Sequence, residues 1–308
     1  MSASIDELMS FPVFSEDKVL SIGISMVARR SVSNPRKIFL SHFGSTAAVL
    51  SDQFMDLQTT DIEGAKLTKE DNSEKGLRSF LAAHYWLWTR PKNADLMLLH
   101  LGLGKKQCRG EPLWRWIRIV HHLRSLKICW DKRGNARGDV EVFTVTVDGT
   151  DFKTWEPKHP KKPIDTKYAL HKFKLAGLRY ELGISIKTGH CVWINGPHPV
   201  GTHNMTIFQK ALKYKIQPGE AVIADRGYQT SRKDEKFMST PSKFDDPEVD
   251  KFKSRAWCRH EAFNGRIKNY GSMEQTWKHS QEKHMWAFTA VVVTIQYQLE
   301  HGSLLFDA

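Results

Sequence analysis

The stretch "EVFTVTVDGTD" (141–151) decides how this chain is read. Phe143, Val145 and Val147 alternate with Thr144, Thr146 and Asp148, the period of two that marks a strand with one apolar face. Gly149 breaks the alternation, so a strand is expected over 141–148, closing on a carboxylate, with Asp151 in the loop beyond. An acid at the end of an apolar strand has two readings. Either it forms an Asx turn with its own backbone, or it stands on a sheet rim, where α/β folds gather their chemistry.

The pattern occurs twice. "EAVIAD" (220–225) reads as a short buried strand, stops at Asp225 and is followed by "RGY". The recurrence favours the rim reading. A third acid, Glu261, lies in "SRAWCRHEAFNGRIKNYG" (254–271). On a helix Trp257, Glu261, Asn264 and Lys268 share one face. Glu261 then either pairs with the surrounding Arg255, Arg259, Arg266 and Lys268, a weak surface interaction, or aims at the same rim. Three carboxylates without cysteine or a convergent histidine pair suit a hard, oxygen-seeking ion, Mg²⁺ or Mn²⁺. Two such ions, roughly 3.5–4 Å apart, serve phosphoryl transfer.

Composition agrees with a polyanionic partner. The 308 residues carry a net charge of +12 and a pI near 9.5, and basic residues cluster in 153–174 and 251–268. Taken alone, such runs are as often solvated surface. An apolar fraction of 40% excludes a disordered chain. The four cysteines form no CxxC pair, which argues against a zinc knuckle or disulfide framework and for a reducing compartment. "AVVVTI" (290–295) is far too short for a membrane span, and no signal-peptide pattern opens the chain. A soluble protein without a membrane partner is expected.

Along the chain, 1–75 shows no strong period and has no assigned role, although Arg29, Arg30, Arg36 and Lys37 form a basic cluster. Helices are expected over 77–88, 93–104 and 111–130, within a small helical region, 76–130. It reads equally as a helix-turn-helix-like DNA-binding cluster or as a plain helical cap. "DKRGNARGD" (131–139) reads as a linker. Beyond it come strands over 178–189 and 190–196 joined by a Thr-Gly turn, a helix over 204–215 capped by Asn204, and an irregular stretch over 231–250. Helices over 254–270 and 281–300 close the chain. Strands and helices of this kind make an α/β or α+β domain over 140–308. Trp155, beside the lysine run, is either a core anchor or a stacking surface for an unpaired base. Histidines read first as structural or DNA-facing, with His260 the exception because it stands beside Glu261 and the ion expected there, and the acids of 245–250 as solvated loop charges.

In order, "VDGT", "LRYELGISIKTGHCVWINGPHPVGTHNMTIF", "AVIADRGY" and "RHEAFNGRIKNY" resemble the catalytic domain of DDE transposases. The nearest group is the Harbinger type, related to the IS5 class of bacterial insertion sequences. The resemblance spans roughly 140–300, and more loosely 76–130. It implies an RNase H-like mixed sheet flanked by helices and a divalent-metal-dependent endonuclease that cuts DNA and joins transposon ends to target DNA. Catalytic and metal-binding roles fall on Asp148, Asp225 and Glu261, with two Mg²⁺ or Mn²⁺ ions. Lys268 matches a basic residue placed against phosphate, and a further arginine falls on Arg255 or Arg259. Asn204 departs from the pattern, standing where relatives usually carry aspartate. The resemblance leaves room for a separate DNA-binding partner protein and a homo-oligomer, and implies the nucleus in a eukaryote and the cytoplasm otherwise. A host-adopted, non-transposing DNA-binding protein or nuclease is the alternative, and an RNA-cleaving enzyme of the same fold a third.

Overall fold

The computed structural model describes residues 13–28, 31–92, 97, 100, 101, 110–134, 142–155, 168–170, 175–225, 228, 237–240 and 246–305. The chain forms two compact units. One gathers the chain up to Lys127 with Asn269–Met273 and Glu282–His301; the other spans Ile128–Lys268, Glu274–Gln281 and the stretch from Gly302. This division differs from the sequence boundaries in two ways. Residues 1–75 and 76–127 fall in one unit, and the C-terminal helix joins them instead of the strands.

In the helical unit, α1 (Glu16–Val27), α2 (Pro35–Phe43) and α3 (Ala47–Thr59) occupy the region that shows no clear sequence period. Each starts on a side-chain cap: Ser15, Asn34 and Thr46 accept from the amides of Lys18, Lys37 and Val49. Such caps satisfy amide groups the first turn leaves unpaired. α4 (Glu74–Thr89) matches the expected 77–88, and α5 (Glu111–His122) stops earlier than the expected Trp130. The expected helix over 93–104 lies largely outside the described residues. Phe54, Phe80 and Trp116, one each from α3, α4 and α5, meet with ring centroids 5.2–5.9 Å apart. The C-terminal helix (Gln281–Glu300) buries Val291, Val292 and Val293. It is tied in by Tyr297, whose hydroxyl donates to Asp56, and by the Lys127–Glu300 ion pair.

The second unit is built on a six-stranded mixed sheet. β1 (Val142–Thr154) pairs antiparallel with β3 (Leu175–Ser185), which also pairs antiparallel with the two-residue β2 (Ala169–Leu170) and with β4 (Cys191–Pro199). On its other side β1 runs parallel to β5 (Glu220–Ala224), and β5 to β6 (Met238–Ser239). Helices cover both faces. α6 (Asn204–Lys210) supplies Phe208 to an apolar cluster with Val145, Val147, Val192, Val222 and Ala224. α7 (Pro247–Lys268) lies on the opposite face, where His260 and Asn264 meet Thr146 and Asp148.

Several expectations change. β1 does not end at Asp148; it continues to Thr154, with Asp148 opposite Leu182. Gly149 is no breaker here, because the amide of Asn204 lies where its Cβ would be. Asp151 is a strand residue whose two oxygens accept from Arg179 at 2.7 and 2.8 Å. A bulge at Thr144 reverses the alternation behind it. Phe143 therefore faces α7, where the Lys253 ammonium lies 5.5 Å from its ring centre, and does not share the face of Val145.

α7 begins at Pro247, seven residues earlier than expected, because "DPE" is a start signal: Asp246 accepts from the Glu248 amide and Pro247 opens the first turn. Glu248 and Asp250 are thus first-turn acids, not loop charges; Asp245 lies outside the described residues. Asn204 is the first residue of α6 and His203 its cap. In the expected linker Arg133 is buried and bonded to both carboxylate oxygens of Glu220 at 3.1 Å. Arg133→Met would leave a buried carboxylate unpaired and should cost about 3–5 kcal/mol in denaturant unfolding. A loss under ~1 kcal/mol would show that this pair does not anchor the start of β5.

Candidate functional site

The site follows from the parallel pairing of β1 and β5. Their last paired residues are Val147 and Ala224. The next residue in each chain is an aspartate, Asp148 and Asp225. Two acids of separate sequence blocks thus arrive side by side at the point where β5 ends. The alternation of β1 turns Asp148 toward the α7 face, and α7 brings its own residues there. Asn264 Nδ2 donates to Asp148 Oδ2 at 3.1 Å, and the Gly149 amide donates to Oδ1 at 2.6 Å.

Asp148 is 7% exposed. Burial first, then the charges of Asp225 and Glu261, push its carboxyl up to about 8, while the Gly149 amide and the Lys268 ammonium pull it down. Asp225, Glu261 and Lys268 therefore each lie within electrostatic reach of Asp148. They are not a finished ligand set: among the described residues no three His, Cys, Asp or Glu side chains gather closely enough to hold an ion as they stand. The donor chemistry nevertheless fits a cation. Asp148 is a buried acid repelled by its neighbours and, among the described residues, hydrogen-bonded only to uncharged groups. Asp225 is half-buried and Glu261 exposed.

The basic residues separate. Arg259, one of two candidates for phosphate, is buried and donates to the carbonyls of Ser185 and Ile186. Its guanidinium clamps the end of β3 and does not reach outward. Arg255 and Lys268 are exposed on α7. His260 is buried, its Nδ1 2.9 Å from the Thr146 hydroxyl, and burial pushes it down to about 3. It is a buried, neutral group, so the histidine that the sequence set apart for its place beside Glu261 faces Thr146 instead.

Residues outside the expected set surround Asp148. Asn264 belongs to the quoted helix block, but its role is visible only once α7 is seated on β1. Glu181, 1% exposed and opposite Gly149 in the β1–β3 ladder, accepts from the Trp193 indole at 2.9 Å. Burial pushes its carboxyl up to about 7. Tyr228 closes the turn after β5 by donating its amide to the Asp225 carbonyl at 3.1 Å, and it is buried in the same apolar cluster as Val145 and Val147. Among the described residues Glu181 Oε2, Tyr228 Oη, Asn204 Oδ1 and Asn264 Oδ1 are buried without a hydrogen-bond partner. The alternation in "LRYELGIS" does not signal a buried Glu181, because it sets this acid on the face of Arg179 and Gly183, opposite Leu178, Tyr180, Leu182 and Ile184.

The carboxyl of Asp148 has a direct consequence for stability. Its folded value of about 8 lies above the ordinary 3.8, so the folded state holds this proton more tightly than the unfolded chain. Stability from this group is greatest below about pH 4, falls as pH rises through about 4–8, and is flat above. Mn²⁺ should therefore raise the melting temperature more near pH 8 than near pH 5. Asp148→Asn should raise the metal-free melting temperature near pH 8 and abolish the Mn²⁺ response. An equal Mn²⁺ shift in the wild type and the variant would remove Asp148 from the binding group.

No protein-family model, curated protein or solved structure matches the chain.

Proposed function

We propose that this protein is a divalent-metal-dependent DNA endonuclease of the DDE transposase kind, built on an RNase H-like sheet. One observation carries the reading: Asp148 and Asp225 stand next to each other beyond the last Val147–Ala224 pair, with Glu261 in electrostatic reach. The mixed sheet with helices on both faces is of the sort this resemblance implies.

In this reading Asp148, Asp225 and Glu261 hold Mg²⁺ or Mn²⁺, with two ions expected. The ions would supply Lewis acidity and charge neutralisation at the phosphodiester. The chain's own groups do the rest. Asn264 orients Asp148 through its amide. Lys268, and Arg255 on the same helix, hold the phosphate backbone in register. Water adds to phosphorus and the P–O3′ bond breaks, which frees a 3′-hydroxyl and leaves a 5′-phosphate; in strand transfer that hydroxyl attacks a target phosphodiester in line, forming a new P–O bond as the target's own P–O3′ bond breaks and its 3′-oxygen leaves as a hydroxyl. Of the basic residues on α5, Arg115 is committed to a bidentate bond with Asp71 at 2.6 Å, and Arg118 lies over the Trp286 ring. The helical unit is assigned no DNA contact through these two.

The absence of a gathered ligand set among the described residues favours one alternative, a host-adopted protein that binds DNA without cutting it. Plasmid nicking in Mn²⁺ separates the two. The endonuclease reading expects nicking by the wild type, with Asp148→Ala, Asp225→Ala and Glu261→Ala each slower by at least about 10²-fold. Nicking by these variants at the wild-type rate would sink the assigned site. DNA binding without any nicking would leave the non-catalytic reading. In either case log affinity should fall with log salt by about 0.9 per phosphate neutralised on duplex DNA, and Lys268→Gln should reduce that slope by about one such step.

A further inference from the structure

Trp155 follows β1, and its indole is 63% exposed, an unusual setting for the side chain with the largest apolar surface. The backbone beneath it is firmly held. The Trp155 amide donates to the Trp277 carbonyl at 2.7 Å, and the Trp277 amide donates to the Lys153 carbonyl at 2.8 Å. Trp277 is buried, its indole donating to the Ser280 carbonyl at 3.0 Å. A buried tryptophan thus anchors the segment that presents the exposed one. The Lys278 ammonium stands 4.8 Å from the centre of the Trp155 ring, a cation–π distance.

We propose that Trp155 and Lys278 form a stacking site for an unpaired nucleotide of a DNA strand. The ring is largely exposed, and Lys278 stands over it as a positive charge. Trp155 also lies within the most lysine-rich part of the chain: 153–174 holds seven lysines and two acids. A base exposes its face only where the duplex is open or the strand is single, so the occupant is unpaired DNA. The flanking phosphate would meet Lys278. At roughly 3.3 Å per residue along β1, Trp155 lies about 23 Å from Asp148, so the two sites would engage one strand several nucleotides apart. The proposal rests on DNA as the ligand and not on cutting.

The test is fluorescence-anisotropy binding by the full chain in EDTA, which silences cleavage, with oligothymidylate compared against a blunt hairpin duplex. Trp155→Ala should weaken single-strand binding roughly 5- to 150-fold, with duplex binding changed less than about twofold and the melting temperature unmoved. Trp155→Phe should recover most of the loss. Lys278→Gln should reduce the single-strand salt slope by about 0.7. Wild-type affinity of Trp155→Ala for oligothymidylate, equal losses on both DNAs, or no single-strand binding by the wild type would each overturn the proposal. A chain that nicks nothing but passes these measurements would defeat the endonuclease reading and leave the stacking site standing.

Discussion

Parallel pairing of β1 with β5 is the constraint on which the second unit depends. It joins segments almost eighty residues apart, and its register decides which side chains become neighbours. A slip of one residue would carry Val145 and Val147 out of the apolar cluster around Phe208 and turn the aspartate to the wrong face. The apolar cluster on one face therefore enforces the placement of acids on the other. Burial of Val222 and Ala224 beside Val145 and Val147 is the stabilising side of this arrangement. Asp148, held in a dry position beside like charge, is the destabilising side.

That tension distinguishes two acids on the same strand. Asp151, three residues on, meets the Arg179 guanidinium with both oxygens, and Glu220 at the start of β5 meets Arg133 in the same way. In each pair the charge is answered inside the fold. Asp148 has an amide from Asn264 and one from Gly149, and Lys268 only at a distance. A buried carboxylate with neutral partners and acidic neighbours is stable as an acid or with a cation, and costly otherwise.

What was legible in the sequence follows the range of the forces involved. The alternation in 145–148 and the acids ending "VTVD" and "VIAD" are local, and both sheet faces were readable from them. The bulge at Thr144 was not, since it arises from matching β1 to β5 across the sheet, and nothing in "EVFTV" marks it. Gly149 misled for a related reason. Glycine signals a break when read alone, yet here it makes space for Asn204, a residue fifty-five positions later. The three N-terminal helices escaped because their apolar faces are short and interrupted by serine and lysine; their caps at Ser15, Asn34 and Thr46 were the available signal. Arg259 looked like a phosphate ligand because burial is invisible in a basic run.

The same logic bears on Glu181, the least expected acid of the second unit. It lies on the β1–β3 ladder directly opposite Gly149, on the strand face it shares with Arg179 and Gly183 and not on that of Tyr180, Leu182 and Ile184. One oxygen is satisfied by Trp193, and the other has no partner among the described residues. Pushed up to about 7 by burial, the group is poised between acid and anion near neutral pH, within reach of the charge on Tyr228's surroundings. Tyr228 in turn closes the turn that carries Asp225. Among the described residues the Tyr228 phenol has no hydrogen-bond partner, so its backbone amide is what ties Tyr228 to Asp225, and Glu181 acts on the ring through charge alone. Loss of an apolar residue in this cluster would leave a cavity, whereas loss of Glu181's charge would relieve a burial cost; opposite signs of stability change are therefore expected from neighbouring positions on the same strand.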